Sequence, residues 1–132
     1  MELRMRSLGL TYLAALVAML GPDAIWLGLM GQRLYRPALG DLLAPSFSPL
    51  PAILFYLIYV TGIVILTPGG SLGASAARGA LFGLCAYGTY DLTNQATLRQ
   101  WPTYLTVADL AWGTVLSAFA ALVAAWVRYR SS

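Results

Sequence analysis

The sequence predicts an all-α integral membrane protein of four transmembrane helices, with a short interfacial helix between the first and the second, built as a single domain over residues 1–132. Three observations carry that prediction. First, 59% of the residues are hydrophobic and only 10% are charged, whereas soluble domains are about a quarter charged. Second, a soluble fold of this length cannot hide so much apolar surface, so lipid is the expected solvent. Third, the apolar residues fall into four stretches, and the breaks between them hold proline, glycine and arginine.

The stretches run over residues 7–29, 50–66, 75–97 and 103–127. At about 1.5 Å per residue each crosses a hydrocarbon core of roughly 30 Å, the second with little to spare. Pro45, Pro49 and Pro51 precede the second span, and Thr67-Pro68-Gly69-Gly70 ends it, because proline and paired glycines cannot continue a helix cheaply. Ser75 is the expected N-cap of the third span, and Trp101-Pro102-Thr103 makes a tight link into the fourth. Arg4 and Arg6 followed by an apolar run resemble the start of a signal peptide, but no small-x-small cleavage site follows and the run resumes at Ile25, so the first span is expected to be retained. Between the first two spans Leu34, Ala38, Leu39, Leu42 and Leu43 recur at helical spacing, with Arg33, Arg36 and Asp41 off that stripe. This pattern is the expected interfacial helix; an ordinary polar loop is the alternative.

Orientation follows from arginine, the only basic residue type present. With four spans, Arg4, Arg6, Arg78, Arg128 and Arg130 share the side of the termini, and Arg33, Arg36 and Arg99 lie opposite. The excess places both termini in the cytoplasm, and the expected location is the bacterial inner membrane. The net charge of +3 is scattered, so no basic cluster points to nucleic acid. Histidine is absent and Cys85 is the only cysteine, which removes disulfides, zinc sites of the usual ligand types and histidine-ligated haem. No cofactor and no metal are expected, and Cys85 reads as a small packing residue.

Three carboxyl groups fall inside the spans, Asp23, Asp91 and Asp109. A charge in lipid costs a few kcal/mol or more, so such residues are functional candidates. Helical rise puts all three about 20–25 Å from the cytoplasmic ends of their helices, in one layer of the outer membrane third. Each has a polar or amphipathic neighbour at i+3 on the same face: Trp26 after Asp23, Asn94 after Asp91, Trp112 after Asp109. Tyr87 lies one turn from Asp91, and Tyr56 and Tyr59 of the second span fall at about the same height. These nine residues form the predicted ligand-binding layer. Pro22 leaves the carbonyl of Ala18 without its helical donor, so a kink before Asp23 is expected, and a protonated Asp23 is able to donate into the gap. Neighbouring carboxyls in a poor solvent cannot all ionise, so at least one is expected to be neutral. The plainer reading pairs these acids with Arg33, Arg36 or Arg99 and assigns Trp26, Trp101 and Trp112 to an interfacial belt, with Trp126 its inner counterpart. Small residues at Gly79 and Gly83, and at Ser117, Ala121 and Ala125, permit close helix contact, either within the bundle or in a homo-oligomer or larger complex.

The segments DAIWLGL (23–29), FYLIYVTG (55–62), YDLTNQATL (90–98), Trp101-Pro102 and DLAWGT (109–114) resemble an uncharacterised bacterial family of small predicted membrane proteins, a domain of unknown function. The resemblance spans nearly the whole chain and implies the four-span architecture and a place in the bacterial envelope, with no activity attached. Residues 90–116 are also similar to the second half of lipoprotein signal peptidases, four-helix membrane enzymes with a catalytic aspartate pair. That similarity implies Asp91 and Asp109 as acid and base. Leu105 and Thr106 depart from the phenylalanine-asparagine pair of that family, Asp23 is extra, and the chain is too short for its substrate cradle.

Three functions follow. The acidic, aromatic layer binds or conducts a proton, a small cation or a polar lipid headgroup, since aromatic faces beside carboxylates suit cations. Small multidrug transporters are short four-span proteins of that kind, but their key acid lies at mid-helix and Asp23 lies well past it. Alternatively, Asp91 and Asp109 serve an intramembrane aspartyl hydrolase or lipid-modifying enzyme. Alternatively, the chain is an accessory subunit whose small-residue stripes dock a larger membrane complex.

Overall fold

A computed structural model describes all 132 residues, as helices joined by short links. Helix α1 (Glu2–Met30) passes through a π-helical turn (Gly31–Tyr35) directly into the short α2 (Arg36–Leu39) and a closing 3-10 turn (Gly40–Leu42). Then come α3 (Pro49–Leu66), α4 (Leu72–Thr97) and α5 (Thr103–Ser131). The stretches Glu2–Leu42, Pro49–Leu66 and Thr103–Ser131 are long and apolar enough to cross a bilayer. Helix α4 is long enough as well but less apolar, because it carries Arg78, Asp91, Asn94 and a run of glycines and threonines.

The packing is that of a protein dissolved in lipid. Only 27 of 132 residues are buried, and Asp23, Asp91, Asp109, Ser117 and several other polar residues are among them. Large apolar residues such as Leu13, Val17, Ile25, Ile58, Leu81 and Val115 point outward instead. Exposed hydroxyls are satisfied within the helices: Thr61 donates to the carbonyl of Leu57 and Thr89 to that of Cys85, both at 2.7 Å. In hydrocarbon no water is present to do this.

Helix α5 is the hub. Its contact with α1 has a simple antiparallel register, fixed where Trp112 meets Asp23. Steps of four residues from that pair match Met19 with Leu116, Ala15 with Ala120 and Thr11 with Ala124, and all six are fully buried. The α4–α5 contact is closer still. A β-carbon on Gly83 would lie 2.6 Å from Ser117 Oγ and 2.7 Å from its Cβ, and one on Gly79 would lie 2.6 Å from the carbonyl oxygen of Ser117. Tyr87 lies flat against Gly113. The small-residue stripes of α4 and α5 are therefore spent on each other, inside one chain. Helix α3 packs mainly on α1 and touches α4 only sparsely, chiefly where Tyr59 and Gly62 meet Phe82.

Several local expectations are revised. Ser71, not Ser75, caps α4, its hydroxyl accepting from the amide of Ala74 at 3.0 Å; Gly69 and Gly70, with φ of 147° and 100°, make the turn that delivers it. Ser75 is buried one turn inside, its hydroxyl without a partner. Cys85 is exposed, because it projects from the side of α4 opposite the Gly79–Gly83 seam. The stripe between the first two spans turns onto protein: Ala38 and Leu39 are buried with Leu105, beside Leu34, Tyr35 and Trp101, whereas Leu42 and Leu43 stay exposed.

Candidate functional site

The antiparallel registers just described decide where the acids go. On α4 and α5, stepping by four from the Gly83–Ser117 and Tyr87–Gly113 contacts brings Asp91 opposite Asp109, and the two carboxyl groups lie within hydrogen-bonding reach. Two bare carboxylates have no donor between them, so that contact becomes a hydrogen bond only with a shared proton. Asp91 is fully buried, and neither of its oxygens has any other donor.

Asp23 is served from two other helices. Trp112 Nε1 donates to its Oδ1 at 2.9 Å, and the hydroxyl of Tyr56 donates to its Oδ2. Its carboxyl thus turns to α5 and α3, not back to the carbonyl of Ala18, and Pro22 stays inside an unbroken α1. Asp109 Oδ1 accepts from the hydroxyl of Tyr35 at 2.5 Å, and that hydroxyl in turn accepts from Trp26 Nε1 at 2.9 Å. The indoles of Trp26 and Trp112 stack between these two systems, with centroids 4.6 Å apart and planes 5° from parallel. The result is a crossed box. Each Asp-x-x-Trp step sends its tryptophan to the other helix's acid, directly from Trp112 to Asp23 and through Tyr35 from Trp26 to Asp109. Antiparallel packing requires the crossing, because the residue opposite Asp23 on α5 is Trp112 and the residue opposite Trp26 is near Asp109.

In front of the box lies a cavity of about 470 Å³, lined by 11 residues. Asp23 and Asp109 supply its acids, while Tyr35, Tyr56, Tyr59, Tyr87 and Tyr90 supply most of its wall, with Phe55 and Trp112. No basic side chain lines it. Tyr59 is held back by Ser117, oxygen to oxygen at 2.6 Å, and stands edge-on to Tyr87 at 6.1 Å. The hydroxyls of Tyr87 and Tyr90 make no hydrogen bond within the chain, so both are free to meet a ligand.

Of the predicted layer, Asp23, Trp26, Tyr56, Tyr59, Tyr87, Asp109 and Trp112 converge on this chamber or its hydrogen-bonded backing. Asp91 sits behind the wall, in the α4–α5 seam. Asn94 does not reach the chamber; its backbone carbonyl closes the end of α4 by accepting from Leu98. Asp23 and Asp109 bond to tyrosine and tryptophan, not to Arg33, Arg36 or Arg99, and Asp91 bonds to none of these. Of the proposed belt tryptophans, Trp26 and Trp112 turn inward, and Trp101 bonds to Thr106 at 3.0 Å. Tyr35 and Tyr90 were missed by the sequence reading. Tyr35 closes a π-turn, whose extra residue re-aims the side chain, and Tyr90 adjoins Asp91 in the chain, which is the signal that was available for it.

Fold and site together define a class: a four-helix integral membrane protein with three buried carboxyl groups, two of which face an aromatic chamber between the helices. A family model described as "Predicted membrane protein (DUF2177)" matches residues 8–126, and the chain belongs to that family. No curated protein and no solved structure gives a significant match.

Proposed function

We propose that the chamber binds the ammonium headgroup of a membrane amphiphile, which enters from the lipid between α3 and α4. One observation carries this reading: two carboxyl groups face a cavity walled by aromatic rings, with no basic residue to balance them. Ring faces attract ammonium groups by about 0.5–2 kcal/mol each, and an acid in a poor solvent gains most from a cation brought to it. Phosphate and other anions have no donor of positive charge there. The volume suits a headgroup-sized ligand, and the α3–α4 contact beside it is sparse.

The hydrolase alternative draws its support from the Asp91–Asp109 pair, but Asp91 is sealed in the seam and does not line the chamber. A dyad of the usual kind needs both carboxyls open to one water. The accessory-subunit alternative rested on small-residue stripes that are occupied between α4 and α5. For the setting we propose the bacterial inner membrane with both termini cytoplasmic, on the arginine count above.

The test uses the full chain in lipid nanodiscs, titrated with dodecyltrimethylammonium, dodecyl sulfate or dodecyl maltoside while tryptophan fluorescence is followed. The expected result is a saturable change with the ammonium amphiphile alone, weakened about tenfold or more by Asp23→Asn, which corresponds to about 1.4 kcal/mol. Equal responses to the neutral and cationic amphiphiles would overturn the proposal.

A further inference from the structure

The opposite end of the bundle carries a second cavity, of about 620 Å³, between the first turns of α1, the last turns of α5 and the α3–α4 link. Its chemistry is the reverse of the aromatic chamber. Arg4, Ser7, Pro68, Arg128, Ser131 and Ser132 line it, with no acidic side chain among the lining residues. Arg128 is the informative one. Its Nη2 donates to the carbonyl of Val64 at 3.2 Å, which ties the guanidinium to the last turn of α3. Its Nε is buried and has no acceptor. A buried N–H of a cation left without a partner is costly, and an arginine fork fits an oxyanion with two parallel hydrogen bonds. The serine hydroxyls do not fill the need, since Ser131 Oγ donates to the carbonyl of Val127 at 2.7 Å and Ser7 Oγ bonds to Ser131 Oγ at 2.8 Å. Arg130 is already engaged, its guanidinium 5.6 Å from the ring centre of Trp126. The lining also includes Leu3 and Leu8, and the adjoining face of α1 exposes Leu10 and Leu13, so apolar surface begins where the charged rim ends.

We propose that Arg128 and Arg4 hold the phosphate of an anionic membrane lipid in this cavity, at the membrane face that carries both termini. Arg128 grips the phosphate oxygens through Nε and the second N–H of Nη2, Arg4 adds a second cation from the rim, and the acyl chains run along the apolar face of α1. The site is independent of the chamber at the other end.

The experiment measures the thermal unfolding midpoint of the full chain in a neutral detergent with added phosphatidylglycerol, a neutral galactosyl diacylglycerol, or inorganic phosphate at matched ionic strength. Phosphatidylglycerol is expected to raise the midpoint saturably, and the neutral lipid is not. Arg128→Gln is expected to raise the half-saturating concentration about tenfold or more, and Arg128→Lys to lie between, because lysine keeps the charge but lacks the fork. Arg4→Gln, at an exposed position, weakens the response should Arg128→Gln fail to fold, and Arg130→Gln leaves it intact. Three results would each overturn the proposal: equal stabilisation by the neutral lipid, indifference to both Arg4→Gln and Arg128→Gln, or a full response to inorganic phosphate alone, which would make the ligand a soluble anion.

Discussion

The crossed box makes a prediction that the sequence alone would get backwards. By i+3 spacing Trp26 belongs with Asp23, but in the fold Trp112 bonds to Asp23 and Trp26 serves Asp109 through Tyr35. Trp112→Phe removes an N–H donor to a carboxyl oxygen at 2.9 Å; hydrogen bonds to charged groups are worth about 1.5–3 kcal/mol. Trp26→Phe removes a donor to a neutral phenol at the same 2.9 Å, worth about 0.5–1.5 kcal/mol. Both substitutions erode the same indole stack, so that loss largely cancels in the comparison. Trp112→Phe is therefore expected to destabilise by about 1 kcal/mol more than Trp26→Phe. In a double-mutant cycle with Asp23→Asn, Trp112→Phe should show a coupling of about 1–2 kcal/mol, and Trp26→Phe should be additive to within about 0.5 kcal/mol. Equilibrium unfolding in mixed micelles with increasing dodecyl sulfate reads all of these. A larger coupling of Asp23 to Trp26 than to Trp112 would refute the register of α1 on α5.

Three further outcomes follow from the same contacts. Gly83→Ala places a methyl group against Ser117 and the backbone of Gly113, so it should cost about 1–3 kcal/mol by forcing α4 from α5, read in the same titration; Gly73→Ala, with open space around it, serves as the control and should cost little. Asp109→Asn should weaken ammonium-amphiphile binding as Asp23→Asn does, whereas Asp91→Asn should change it less than about threefold, since Asp91 stands behind the wall; fluorescence titration of the three variants decides. Cys85, exposed on the outer side of α4, should resist maleimide in membranes, because lipid offers nothing to take the thiol proton, and react once the chain is unfolded in dodecyl sulfate, as mass spectrometry of labelled vesicles would show.

The helices were legible because lipid imposes a single rule on every span, and the breaks carry proline and glycine. The common height of the acids was legible too, since helical rise converts residue number into depth. Which side chains meet was not legible. Spacing along one helix finds neighbours on that helix, while the partners of Asp23 come from α3 and α5 and are set by registers that only packing determines. Gly79, Gly83 and Ser117 announced a close contact without saying whether it lay within the chain. Asn94 shared the pattern of the two tryptophans, yet it lies too near the end of α4 to face the chamber. Tyr35 escaped notice because its segment read as a surface helix, and nothing in composition marks a π-turn.

The uneven helix contacts divide the molecule into two mechanical parts. The short link at residues 98–102 and the interlocked glycine seam join α4 to α5 as a stiff plate, and α1 is keyed to that plate along four turns. Helix α3, held more lightly, carries Tyr56 and Tyr59. Asp23 and Asp109 thus stand on the closely packed side of the bundle, while part of the aromatic wall comes from its most loosely packed span. That span is fastened to the plate by single hydrogen bonds spread along its length, from Tyr56 to Asp23, between Tyr59 and Ser117, from Tyr12 to the carbonyl of Leu57 and from Arg128 to that of Val64, in place of an interlocked seam.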